Sequence, residues 1–213
     1  MIKSNTDARI KLRNSRVEDI DELVNLGIEG FGNDQMGVTH DKLKSHLTVF
    51  PEGQFCVEYD GKLVGSCNSL IVNLDDYGEK HTFNDISDGG YIRNHDPKGT
   101  TLYGIDVVVH PHYRKMNIGK LLYEARSNLC EKHNLKNIVF GGRMPNYYKY
   151  QEQLTPEEYV EEVVKGNLKD PVINFHIRRG FTYKGIIPNY ISKDEESLGY
   201  ATLMEWTNPE YKA

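Results

Sequence analysis

Two features of this 213-residue chain could do chemistry: Asp106, a carboxylate set in the apolar run from Ile105 to Val109, and the basic turn from Arg114 to Gly119 that follows it. A carboxylate held in apolar surroundings has a raised pKa, which improves it as a base. The same carboxylate could instead be structural, satisfied by a neighbouring strand or an arginine. The turn offers anion binding. The first N–H groups of a helix have no intrahelical partner, and the helix dipole adds partial positive charge there. Arg114, Lys115 and Lys120 add formal charge, while Asn117 and Gly119 are residue types that let a backbone curl around a ligand. A pyrophosphate fits such a place. A plain surface turn with three solvated cations fits the same residues.

These groups need a strand, a loop and a helix to position them, and the pattern supplies that order. Leu102 to Val109 is rich in branched apolar residues and is stopped by His110 and Pro111; Ile118, Leu121, Leu122, Ala125 and Leu129 then recur at helical spacing, closed by His133 and Asn134. Upstream, Arg9 to Arg13 reads as a first strand. Ser15 to Glu18 reads as a capping box before a helix with Ile20, Leu23, Val24, Gly27 and Phe31 on one face. A second helix is expected over Asp41 to Val49, with Leu43 and Leu47 inward. A hairpin follows, Gln54 to Tyr59 and Lys62 to Val72 around Asp60-Gly61. Residues 74–99 form a polar insertion, long for an ordinary connection, that is either mobile or folded over an acceptor pocket. Its His81 and His95 read as solvated, and no metal is expected.

Downstream, Asn137 to Phe140 reads as a strand, followed by Gly141-Gly142. Residues 144–170 form an extended connection, with a helix begun by Thr155-Pro156-Glu157-Glu158 and tyrosines at 147, 148 and 150. Tyr147 and Tyr148 are candidates to line an acceptor pocket or to pack partly buried. His176 reads, from its position alone, as a packed helix histidine. Cys56, Cys67 and Cys130 are an odd, scattered set without a C-x-x-C pair, so they read as reduced, buried thiols. The formal net charge of -5 argues against broad nucleic-acid binding, no stretch is long enough to span a bilayer, and the amino terminus lacks the apolar core of a signal peptide. A single cytoplasmic domain over residues 1–213 is the expectation. A nucleotide-binding protein is disfavoured, because no Lys-Ser or Lys-Thr follows the loop in P-loop fashion.

The segment Arg114-Lys115-Met116-Asn117-Ile118-Gly119 resembles the acetyl-CoA-binding motif of the GNAT acetyltransferase superfamily, which reads Arg or Gln, two residues, Gly, one residue, Gly or Ala. Asn117 stands where the family usually has glycine. Asp170 to Phe181 resembles the family's later helix, which ends in Gly-Phe before a strand, and the likeness extends over nearly the whole chain. Within the superfamily the chain is similar to the acetyltransferase domain fused ahead of a carbon-nitrogen hydrolase (nitrilase-like) domain, on the strength of Gly141-Gly142-Arg143, Asp170-Pro171 and Leu198-Gly199-Tyr200-Ala201. No hydrolase domain is expected after Ala213.

The resemblance implies an α/β (α+β) fold, with a mixed, mostly antiparallel sheet of about six to seven strands, splayed middle strands and helices on both faces. It implies acetyl-CoA as co-substrate, bound by the backbone of Val107, Val108 and Val109, by Arg114, Lys115, Met116, Asn117, Ile118, Gly119 and Lys120, and by Asn174. The acetyl group would pass to a primary amine of a small molecule or peptide by direct attack. Asp106 occupies the position at which many members carry a glutamate acting through water. His176 occupies the position of the tyrosine that protonates the coenzyme thiolate in many members; an imidazole, at about 6.5 against about 8.5 for a thiol, could donate there. The family often forms homodimers through its final strands, here Phe181 to Ile187 and Tyr200 to Trp206. Asn117 and His176, as departures from the pattern, would also suit a catalytically weak acyl-CoA sensor.

Overall fold

A computed structural model describes residues 8–32, 38–78 and 80–212, so the amino-terminal segment lies partly outside the described residues. Within them the strands are β1 (Ile10–Asn14), β2 (Phe55–Tyr59), β3 (Lys62–Val72), β4 (Thr101–Val109), β5 (Asn137–Gly142), β6 (Thr182–Ile187) and β7 (Ala201–Thr207). They form one sheet in the order β1-β2-β3-β4-β5-β7-β6. All neighbours run antiparallel except β4 and β5, a parallel pair that needs a crossover helix between its strands. The helices are α1 (Ile20–Phe31), α2 (His40–Val49), α3 (Phe83–Ser87), α4 (Ile118–Lys132), α5 (Pro156–Val164) and α6 (Pro171–Arg178), and α4 makes the crossover.

Alternation along the strands places helices on both faces. Cys56, Leu63 and Val108 pack with Ile20, Leu23 and Leu26 of α1 and Leu43 of α2. On the opposite face Val57, Val64 and Cys67 pack with Ile118 and Leu122 of α4. The hairpin turn is of the primed kind expected, with Asp60 at φ 49° and Gly61 at φ 82°. The box opening α5 also forms, the Thr155 hydroxyl accepting from the Glu158 N–H at 3.3 Å and the Glu158 carboxylate from the Thr155 N–H at 2.8 Å.

Other expectations need correction. The cap ahead of α1 sits one residue later than Ser15 and Glu18: the Arg16 N–H donates to Asp19 Oδ2 at 2.7 Å, and Asp19 is held there by the Arg13 guanidinium at 2.6 and 2.8 Å. Of the two readings of the insertion, mobile or functional, its described residues do not fit the first, because they are packed. Ile86 and Ile92 are fully buried, and the Asp96 N–H donates to the Ile71 carbonyl at 2.8 Å. Its histidines are not solvated: His95 Nδ1 accepts from the Ile71 N–H at 3.0 Å and stacks on Phe50, while buried His81 meets the Tyr103 hydroxyl at 2.8 Å. All three cysteines are buried free thiols, and burial pushes Cys56 and Cys67 up to about 11 and Cys130 up to about 12.

Candidate active site

The sheet opens between β4 and β5. Their parallel pairing covers only Thr101–Tyr103 against Asn137–Val139, so the residues of both strands beyond that point diverge. On its other edge β4 stays paired with β3 through Val109, but the register shifts between Asn68 and Ser69: Asn68 faces Asp106 while Ser69 faces Gly104. Ile105 is the extra residue of a bulge, which turns the strand and re-aims the side chains after it. At the point of divergence the Tyr103 and Tyr190 hydroxyls are 2.9 Å apart. Gly141 and Gly142 are required here by packing as well as by the opening, because a Cβ at Gly141 would stand 2.3 Å from the Tyr190 ring and one at Gly142 2.7 Å from Thr202 Oγ1.

Beyond β4 the chain makes a single turn, Pro111–Tyr113, anchored by His110. Its Nδ1 accepts from the His112 N–H at 3.2 Å, and its Nε2 lies 2.9 Å from Glu29. Lys115 and Asn117 then adopt left-handed backbones, at φ 69° and 62°. Asn117 is the N-cap of α4 but its side chain makes no capping hydrogen bond, so it leaves the first amides of the helix to another acceptor. The cations are partly engaged: Arg114 Nη2 donates to the Gly30 carbonyl at 2.9 Å, and Lys120 Nζ lies 3.4 Å from Glu124. Met116, Val107 and Val109 pack into the α4-side core, whereas Val108 packs under α1. A Cβ on Gly119 would be 3.1 Å from the Phe175 ring, so glycine lets α6 close against the start of α4.

Asp106 faces the α1 and α2 side, in a small pocket lined by Leu23, Gly27, Phe31, Val38, Leu43, Ser66, Asn68 and Val108. Asn68 Nδ2 lies 2.9 Å from both carboxylate oxygens. Burial raises the Asp106 pKa, opposed by the Asn68 bond and by the charges of His46 and Arg126. Arg126 reaches through from α4. Its Nε donates to Ser69 Oγ at 3.0 Å, and its Nη2 donates to the Asn68 carbonyl at 2.6 Å and also to the Asp106 carbonyl. The bulge is therefore clamped from behind by a buried guanidinium. Sequence reasoning missed Asn68, Arg126 and His46. The available signals were a polar residue inside the apolar β3 run, an arginine one helical turn after Leu122, and a histidine on the Leu43 face of α2.

His176 is buried against Phe140 (ring centroids 4.6 Å apart) and Tyr123 (5.9 Å). Among the described residues its Nδ1 has no partner, and burial with the nearby Arg126 charge pushes its pKa down to about 3. Asn174 Oδ1 accepts from the Asp170 N–H at 3.0 Å, so that end of the amide serves the start of α6. Buried Asp170, which the sequence marked only as part of an Asp-Pro pair, accepts from the N–H groups of Val172, Ile173 and Asn146 and from the Tyr159 hydroxyl. The tyrosines do not line the Asp106 pocket. Tyr147 packs on Tyr159 and Tyr200 in the α5–α6 cluster, and Tyr148 is exposed.

Comparison with known proteins agrees with this fold. The profile of the acetyltransferase (GNAT) family matches residues 20–149. The protein named "Probable hydrolase YhcX" of Bacillus subtilis (strain 168) is 49% identical over 206 residues, which cover 96% of this chain; the chain spans 40% of that relative's length. The protein named "Uncharacterized N-acetyltransferase YkwB" of the same strain is 39% identical over 206 residues, covering 95% of this chain and 91% of the relative. Among solved structures, the GphF GNAT-like decarboxylase in complex with isobutyryl-CoA superposes with a TM-score of 0.79 at 23% identity, covering 92% of this chain and 98% of that one. At that identity the likeness is one of fold.

Proposed function

The chain belongs to the acetyltransferase (GNAT) family, and from that premise we propose that it transfers an acetyl group from acetyl-CoA to a primary amine of a small molecule or peptide by direct attack in a ternary complex. The observation that carries this reading is the junction of a divergent β4–β5 pair with an uncapped α4. Left-handed Lys115 and Asn117 curl the turn so that the amides of Ile118, Gly119 and Lys120 suit a diphosphate, and unpaired strand edges suit an extended amide-bearing arm. Bound there, acetyl-CoA would supply the activated thioester.

This chain's own residues do the rest. An amine attacks only when unprotonated, and Asp106, with its pKa raised by burial and its oxygens held by Asn68, accepts that proton through water. The backbone near Val108 polarises the carbonyl. We assign His176 to the departing sulfur as a neutral N–H donor. With its pKa near 3 the imidazolium is not populated at neutral pH, so it would hydrogen-bond the thiolate and leave protonation to solvent or to the spent amine. No buried cysteine is needed as a nucleophile. The edge strand β6 is available for pairing two copies. A narrower kinship, with acetyltransferase domains fused to carbon-nitrogen hydrolases, draws support from the match to part of a longer protein named as a hydrolase. Among the described residues no helix is long and apolar enough to cross a membrane.

The test is release of free thiol from acetyl-CoA against a panel of amines and peptides. Release that depends on one acceptor class supports the reading; a thermal shift with acetyl-CoA but no release for any acceptor would instead support a sensor. A second expectation concerns the loop. Asn117→Val places a β-branched residue at φ 62° and should weaken coenzyme binding by roughly tenfold or more while Asn117→Gly preserves it, as measured by calorimetry. Equal affinity for the two variants would contradict the role given to this backbone.

A further inference from the structure

His81 of the insertion is buried, and the transfer chemistry above makes no use of it. Its Nδ1 lies 2.8 Å from the Gly78 carbonyl and its Nε2 2.8 Å from the Tyr103 hydroxyl, which is itself 2.9 Å from the hydroxyl of Tyr190. These contacts have one direction. A carbonyl only accepts, so Nδ1 carries the hydrogen and the neutral ring turns a lone pair at Nε2 toward Tyr103. Burial favours that neutral ring. Tyr103 therefore donates to His81, and Tyr190, facing an oxygen whose hydrogen is committed, donates to Tyr103. Burial keeps both phenols protonated, with Tyr190 pushed up to about 12. Each oxygen is left as an acceptor with no hydrogen to offer the split.

The pair stands where the split begins. Tyr103 and Val139 are the last partners of β4 and β5, and the Tyr190 ring lies against Gly141, further along β5. It also shares a face with Asp106. Tyr103 and Asp106 are opposite Leu70 and Asn68, alternate residues of β3, so the bulge at Ile105 brings both side chains to one side of the sheet. Their separation along the strand is about 7 Å, room for one amine nitrogen and the water that links it to the carboxylate.

We propose that the Tyr103–Tyr190 hydroxyl pair receives N–H groups of the acceptor amine, with His81 as the positioning residue that fixes the direction of the pair's hydrogens. This rests on the reading of the split as the acetyl-transfer site. A primary ammonium has three N–H groups: one serves the water leading to Asp106, and one serves each phenol oxygen. A secondary ammonium lacks one of them and leaves an acceptor unfilled. Take away the imidazole, and the Tyr103 hydroxyl turns to Tyr190 for its acceptor. The chain then reverses, and Tyr190 offers the split an O–H where the amine needs a lone pair. The insertion thereby acquires a role in choosing the substrate.

The probes are propylamine and N-methylpropylamine, followed by thiol release from acetyl-CoA and by calorimetric binding to the full chain saturated with coenzyme A. The wild type should favour propylamine by about tenfold in both measurements, the usual worth of one hydrogen bond to a charged group. Tyr190→Phe keeps the ring against Gly141 and removes its acceptor, so it should weaken propylamine by about tenfold and leave the affinity for acetyl-CoA unchanged. His81→Phe should do the same, whereas His81→Gln, whose Oε1 can accept from Tyr103, should restore most of the loss. That contrast separates the direction of the hydroxyls from mere packing. Unchanged propylamine affinity in Tyr190→Phe overturns the proposal, as does equal behaviour of His81→Phe and His81→Gln. Should a variant fail to fold, equal handling of the two amines by the wild type overturns it alone. If the wild type binds acetyl-CoA and releases no thiol with any amine, the acetyl-transfer reading fails while the calorimetric arm still decides the amine site.

Discussion

Asp106→Asn is expected to leave acetyl-CoA binding intact and to slow transfer by about 10²–10⁴-fold near neutral pH, the usual span for loss of a general base. The variant keeps the shape of the side chain under Asn68 and removes the carboxylate that, among the described residues, lines the pocket. The pH dependence follows from the raised pKa of Asp106. As pH falls through that value the wild type loses its base and its rate declines, whereas the variant has no such limb. As pH rises toward the pKa of the acceptor, about 10 for an ordinary alkylamine, free amine accumulates and the gap narrows. A flat ratio of the two rates across pH would remove Asp106 from the mechanism. The same shift predicts a stability effect of opposite sign. A carboxyl whose folded pKa exceeds its unfolded value of about 3.9 costs stability as pH rises from the lower value through the higher. The Asn variant escapes that loss, so its Tm should gain on the wild type over that window.

Arg126→Met is expected to cost about 2–4 kcal/mol, a fall in Tm of roughly 5–15 °C for a chain of this size. The guanidinium is almost fully buried and meets two backbone carbonyls and a hydroxyl at the β3–β4 bulge. Removing it strands those acceptors in an apolar setting. Arg126→Lys should rescue little, because one ammonium cannot span the fork of acceptors that the planar group serves. Its charge also lowers the pKa of both Asp106 and His176, so the Met variant should move the acid limb of transfer to higher pH. Thermal unfolding with a parallel rate profile checks both consequences; an unchanged Tm would show that the bulge holds without the clamp.

Much of this architecture is legible locally. The left-handed tolerance of Asn117, the Asp60-Gly61 turn and the Thr155 box each depend on a few consecutive residues, and each is realised. The α/β layering follows from period and order. The surroundings of Asp106 are not local. Asn68 meets Asp106 across two strands, Arg126 reaches β3 from the far face, and His46 finds its partner in an insertion whose polar composition suggested either a mobile or a functional segment. Their spacing in sequence carries no period, so only the polar residues interrupting apolar faces betray them. The tyrosines at 147 and 148 show the converse. Nearness in sequence to the glycine pair made them candidates for an acceptor pocket or for packing, and the turn after β5 carries Tyr147 into the α5–α6 cluster and leaves Tyr148 exposed.

The central claim is that the mouth of α4 holds the diphosphate of coenzyme A. Calorimetric titration of the full chain with acetyl-CoA and with S-acetylpantetheine, which lacks the diphosphate, tests it most directly. The account predicts saturable one-to-one binding of acetyl-CoA and affinity lower by a hundredfold or more for the truncated thioester. Equal affinity for the two, or no heat with either, would contradict it.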